Sequence, residues 1–81
     1  MTARQVSDTC SSLGLTVRQV PSDGRRRSWS AGLGGPDRVY WSTSFEGGLL
    51  GGVRVCRHGR DTHARTAGEI AYIWREYGKP G

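Results

Sequence analysis

Cys56, His58, Asp61 and His63 bring four metal-ligand residue types together within eight positions, and zinc takes Cys and His at short spacings. Structural zinc sites pair two ligand doublets across a long span. No second doublet stands elsewhere in the chain, so a surface histidine pair is the plainer reading and no metal is assigned. Cys56 and His58, two apart, would point the same way from one strand and set a thiol beside a base. Nothing in the sequence orients that histidine, and no oxyanion site is recognisable. There is no Gly-x-Ser-x-Gly elbow. The run Gly47-Gly48-Leu49-Leu50-Gly51-Gly52 lacks the Lys and Ser/Thr of a phosphate loop and leads into a strand instead of a helix. The chain therefore reads as non-enzymatic and as carrying no cofactor.

Arginine is the more informative residue. Twelve Lys plus Arg stand against seven Asp plus Glu, a net charge of +5, and Lys79 is the sole lysine. Codon bias accounts for that preference most simply. The functional alternative is recognition of phosphate or carboxylate, which the planar guanidinium fork matches better than an ammonium. Two clusters stand out. Arg25-Arg26-Arg27 stands at a hairpin entry, and Arg54, Arg57, Arg60 and Arg65 surround the loop before the last helix, where backbone donors also favour anions.

These residues must be held by secondary structure that the patterning predicts. Thr2 with Gln5 makes a capping box, and Ala3, Val6, Cys10 and Leu13 recur at helical spacing, giving a helix over 3–13 that Gly14 closes. From Leu15 to Val20 the pattern alternates and ends at the turn sequence Pro21-Ser22-Asp23-Gly24. A second strand would turn Trp29, Ala31 and Leu33 inward. A third would turn Val39, Trp41, Thr43 and Phe45 inward, against Arg38, Tyr40, Ser42 and Ser44. Their apolar sets match only if odd residues oppose odd ones, for instance Ala31 opposite Val39 or Trp41, which requires a loop of three or five residues. Dense glycines then signal a hairpin connection or a bulge before a fourth strand at Val53–His58. After a polar loop around Gly59 to His63, Thr66 and Glu69 make a second capping box. Ala67, Ile70, Ala71, Trp74 and Tyr77 then repeat helically until Gly78 and Pro80. Ile73 widens that stripe and is expected to pack on the first helix.

A single domain over 1–81 is expected, of α+β class: a two-layer sandwich with an N-terminal helix, three or four antiparallel strands and a C-terminal helix, both helices on one sheet face. That face carries Val17, Trp29, Trp41, Phe45, Val53 and Val55. The opposite face would be open and would present Arg18, Arg26, Arg38, Tyr40 and Arg54 among serines. Sheet platforms of this kind bind single-stranded nucleic acid through cationic phosphate contacts and aromatic stacking.

In outline, the order of helix, strands and helix is similar to that of the double-stranded RNA-binding domain. That likeness implies docking through a basic loop and the N-terminal end of the last helix. The lysine-rich signature of that family is missing from Arg65-Thr66-Ala67-Gly68, and the fourth strand is extra. No membership follows.

The leading expectation is a small nucleic-acid-binding protein, for DNA or RNA, using Arg18, Arg26, Tyr40, Arg54, Arg57, Arg60 and Arg65. The rival is an inhibitor or accessory factor, of the kind small mobile-element genes encode, that binds an acidic surface of a larger protein. Leu49 and Leu50 would then anchor the contact on a glycine-flanked tip. The first residues lack a secretory signal and no run is long enough to cross a membrane, so a cytoplasmic protein is expected. Leu, Ile, Val and Phe number only 14 of 81, and so thin a core raises the expectation of a homodimer.

Overall fold

A computed structural model describes residues 1–22 and 24–79. The element order is α1 (Ala3–Ser12), β1 (Thr16–Val20), β2 (Arg26–Gly32), β3 (Arg38–Ser44), β4 (Leu49–Arg57), β5 (Arg60–Ala64) and α2 (Ala67–Glu76). The five strands form one antiparallel sheet in chain order, β1-β2-β3-β4-β5. The architecture is α+β, with a five-stranded sheet where three or four strands were expected.

The extra strand is β5, which occupies the stretch read from the sequence as a polar loop. Arg57 pairs with Arg60, leaving His58-Gly59 as a two-residue turn. Both have positive φ, 49° and 77°, which is the mirror-image turn whose twist suits a tight hairpin. Arg-Asp-Thr-His-Ala carries a single apolar residue, so alternation gave no sign of it.

Both helices start as their caps dictate. The Thr2 hydroxyl accepts from the Gln5 amide at 3.1 Å, and the Gln5 side chain accepts from the Thr2 amide at 2.8 Å. At α2 the Thr66 hydroxyl accepts from the Glu69 amide at 3.1 Å. The Glu69 carboxylate reaches one residue further back, to the Arg65 amide at 3.2 Å, so the second box is displaced by a residue.

The register sets Ala31 opposite Val39 and Trp29 opposite Trp41 across a five-residue connection, residues 33–37. Odd positions of β2, β3 and the end of β4 thus share one face. Ala31, Val39, Trp41, Val53 and Val55 are buried there against Val6 and Cys10 of α1 and Ile70, Ile73 and Trp74 of α2. Both helices lie on that face because each has one apolar stripe and no other apolar surface is large enough to receive it. Burying a Val or Ile side chain contributes about 1.5–3 kcal/mol, and this one cluster supplies nearly all such burial.

Two residues expected inward are not. Leu33 is 70 % exposed and Phe45 is 58 % exposed, because β2 ends at Gly32 and β3 at Ser44, so alternation no longer applies to either. The Arg27 guanidinium lies 5.3 Å from the Phe45 ring centre and shields it. The turn expected at Pro21–Gly24 and the helix stop at Pro80 involve Asp23 and Pro80, which lie outside the described residues. No helix among the described residues is long and apolar enough to cross a membrane.

Candidate functional site

The face away from the helices is read row by row from the pairing. Arg18, Ser30, Tyr40, Arg54 and His63 are consecutive cross-strand partners and form one line across all five strands. A parallel line holds Val20, Ser28, Ser42 and Leu50, and Arg26 opposes Ser44 beyond it. On the other side run Thr16, Gly32, Arg38, Cys56 and Asp61. Arg18, Arg26, Tyr40 and Arg54 are therefore brought onto one surface. Arg38, which alternation put there too, joins them.

The paired leucines separate. Between Tyr40 and Ser42 the register against β4 slips, and Gly51, at φ +68°, absorbs the extra backbone. Leu49 packs against the core. Leu50 stays 42 % exposed and lies beside Ser42 on the open face.

Arg57 takes another course. Its Nε donates to the Trp74 carbonyl at 2.9 Å, its Nη1 pairs with Asp37 at 3.0 Å, and its guanidinium lies 3.9 Å from the Trp74 ring centre. The other Asp37 oxygen accepts from the His58 amide at 3.0 Å. This amide and the Arg57 guanidinium hold the Asp37 carboxyl below its usual range. The arginine closes the C-terminal end of α2, where a cation and a donor are both wanted. A side chain at Gly78 would collide with its guanidinium. Arg60 lies 5.6 Å from the Tyr77 ring centre at that same helix end, whereas Arg65 precedes the N-cap at the other. The four basic residues expected around one loop thus divide among the open face, the C-terminal end of α2 and its N-terminal end. The loop they were to surround is the strand β5.

Two depressions lie against the open-face arginines Arg18, Arg26, Arg38 and Arg54. The larger, about 560 Å³, lies over Ser28, Tyr40 and Ser42 and is rimmed by Arg26, Leu50, Arg54 and His63. The Arg54 guanidinium is 5.9 Å from the Tyr40 ring centre, and its Nε lies 3.1 and 3.2 Å from the Asp61 oxygens. This pairing pulls the Asp61 carboxyl below its usual range and raises Arg54. Arg54 is thereby a fixed neighbour of Tyr40 and not an unpaired cation. The smaller depression, about 410 Å³, lies between Arg18 and Arg38. Among the described residues neither of these, nor Arg26, forms an ion pair.

No protein-family model, curated protein or solved structure matches the chain.

Charge is unevenly divided between the two layers. Among the described residues paired in the sheet, the open face carries Arg18, Arg26, Arg38 and Arg54 against Asp61, while the helices carry Arg4 and Arg75 against Asp8, Glu69 and Glu76. The positive potential therefore concentrates on the sheet. Cys56 is half-buried, and burial, then Asp61, pushes its thiol up, which disfavours the thiolate a nucleophile needs. The His58 ring meets the Gly78 carbonyl at 3.2 Å on the hairpin turn, while His63 lies on the open face. Among the described residues no group of His, Cys, Asp and Glu is arranged to hold a metal ion.

Proposed function

We propose that the chain is a non-enzymatic nucleic-acid-binding protein that lays a single strand across the open face of its sheet. The observation that carries this reading is Tyr40 on the middle strand, with Arg18, Arg26, Arg38 and Arg54 around it and, among the described residues paired in the sheet, Asp61 as the one carboxylate on that face. Arg18, Arg26 and Arg38 contact phosphates. The Tyr40 ring stacks a base, with the Arg54 guanidinium fixed beside it by Asp61. Ser28 and Ser42 supply hydroxyls that donate or accept, and so tolerate any base. Arg57 belongs to the scaffold in this reading, and Arg60 and Arg65 stand away from the track.

A single strand suits the surface better than a duplex, because a stacking platform needs a base out of its helix. The exposed Leu50 on the same face favours a second occupant, an acidic protein surface with an apolar spot opposite that leucine. Fluorescence anisotropy with labelled single-stranded DNA and RNA of mixed sequence separates the two. The nucleic-acid reading expects saturable binding that weakens with salt at a log–log slope of about −2 for three phosphate contacts. Absence of binding at low salt rejects it.

A further inference from the structure

We infer that the depression between Arg18 and Arg38 receives the terminal phosphate of a nucleotide chain whose adjoining base lies on Tyr40. The inference deepens the nucleic-acid reading and rests on it. Ser30 and Tyr40 are direct partners across β2 and β3, and Arg18 is the partner of Ser30 on the other side. An anion beside Arg18 is thus one residue away from the stacking platform. Ser30 is 1 % exposed, and its hydroxyl accepts from Arg38 Nη1 at 3.4 Å. It retains its own proton to donate. Thr16 adds a second hydroxyl to the lining. Two guanidinium groups and two hydroxyls able to donate, with no carboxylate among the described residues of the lining, suit an oxyanion of high charge.

The terminal character follows from the shape. Leu33 and Gly34, in the β2–β3 connection, close the depression at one end. A Cβ at Gly32 would come 3.0 Å from the Asp37 carbonyl oxygen and 3.2 Å from Arg38 Cγ. β2 and β3 therefore lie tightly together where the connection leaves them, since Gly32 and Arg38 are direct partners. A strand running along the face from Arg26 past Tyr40 reaches this connection at the end of β2 and β3. An internal phosphodiester carries one charge and two continuations, whereas a terminal monoester carries close to two charges near neutral pH and only one continuation. The second matches a depression bounded at one end by the β2–β3 connection and carrying two cations.

The test compares one oligonucleotide sequence in three forms: 5′-phosphorylated, 3′-phosphorylated and with both ends unmodified. One phosphorylated form should bind at least about tenfold more tightly than the unmodified one, and which form does so gives the polarity of the strand. That advantage should shrink as pH falls through about 6, where the monoester takes up a proton. It should vanish in Arg38→Ala and Arg18→Ala, weaken in Arg38→Lys, and survive in Arg26→Ala, each variant being checked by circular dichroism for an intact fold. Equal affinity for the three forms overturns the terminal-phosphate inference and leaves the nucleic-acid reading standing. No binding of any form overturns both.

Discussion

The Arg57 guanidinium lies 3.9 Å from the centre of the Trp74 ring and donates to the carbonyl of the same residue at 2.9 Å. One side chain thus holds both the side chain and the backbone at the end of α2, while Asp37 holds the arginine from the β2–β3 connection. Three segments distant in sequence meet in this lock, and it lies on the helix side of the sheet. The arginines of this small basic chain accordingly do two kinds of work, separated by the sheet between them.

Breaking the lock should loosen the fold without touching the open face. Arg57→Ala removes the cap of α2 and leaves Asp37 without its cation, and Gly78→Ala drives a methyl group into the guanidinium. Thermal unfolding followed by circular dichroism should show both melting several degrees below the parent, about 4–8 °C for each kcal/mol lost in a domain of this size. Any oligonucleotide affinity measured well below the melting point should be unchanged.

The same lock sets the acid limb of stability. The folded pKa of Asp37 is depressed by the His58 amide and Arg57, so the carboxylate's contribution is present above the ordinary aspartate range, about pH 4, and is lost as pH falls through the lower folded value. Asp37→Asn should flatten the decline of the melting temperature below about pH 4 and lower stability at neutral pH. An unchanged acid limb in the variant would show that other carboxylates govern it.

Ile70 is fully buried between α2 and the sheet. Truncation to Ala should destabilise by about 2–5 kcal/mol through lost burial and the cavity left behind, read from the urea midpoint at constant slope. A domain whose core is this small has little reserve, and the variant is expected to be partly unfolded at 37 °C.

The two thiols should differ. Cys10 is buried in the core and its pKa is pushed up to about 11 by that burial, whereas Cys56 is half-buried at the rim of the open face. In the native protein at pH 8 a disulfide reagent should modify Cys56 slowly and Cys10 not at all. Both should react at once in denaturant. Prior occupation of the open face by an oligonucleotide should slow Cys56 further.

Much of the fold is legible in the chain. Both helices, the inward residues Trp29, Ala31, Val39 and Trp41 and the odd-on-odd register follow from caps and alternation, because burial of one face dictates them. The fifth strand is not legible that way. Its residues Arg60 to Ala64 pair along β4 through backbone hydrogen bonds and an Arg54–Asp61 ion pair, and neither leaves an apolar period. The sign available was His58-Gly59, a two-residue turn between segments able to pair. The placement of Arg18, Arg26, Tyr40 and Arg54 on one surface is a direct consequence of alternation. The withdrawal of Arg57 is not, since it depends on Asp37 and Trp74, respectively 20 and 17 positions away.

Stacking and charge on the open face should be separable. Tyr40→Ala should weaken single-strand binding by about 1–3 kcal/mol with no change in salt slope, as one base loses its platform. Tyr40→Phe should retain most of the affinity.

The most direct measurement is the salt dependence of single-strand binding by the parent, Arg26→Ala and Arg57→Ala. With cations of the open face contacting phosphate, Arg26→Ala lowers affinity evenly across sequences and flattens the log–log slope by about 0.7, while Arg57→Ala leaves the slope as it was. A slope unaffected by Arg26 and reduced by Arg57, or no binding by the parent at low salt, contradicts an open sheet face that carries the nucleic acid.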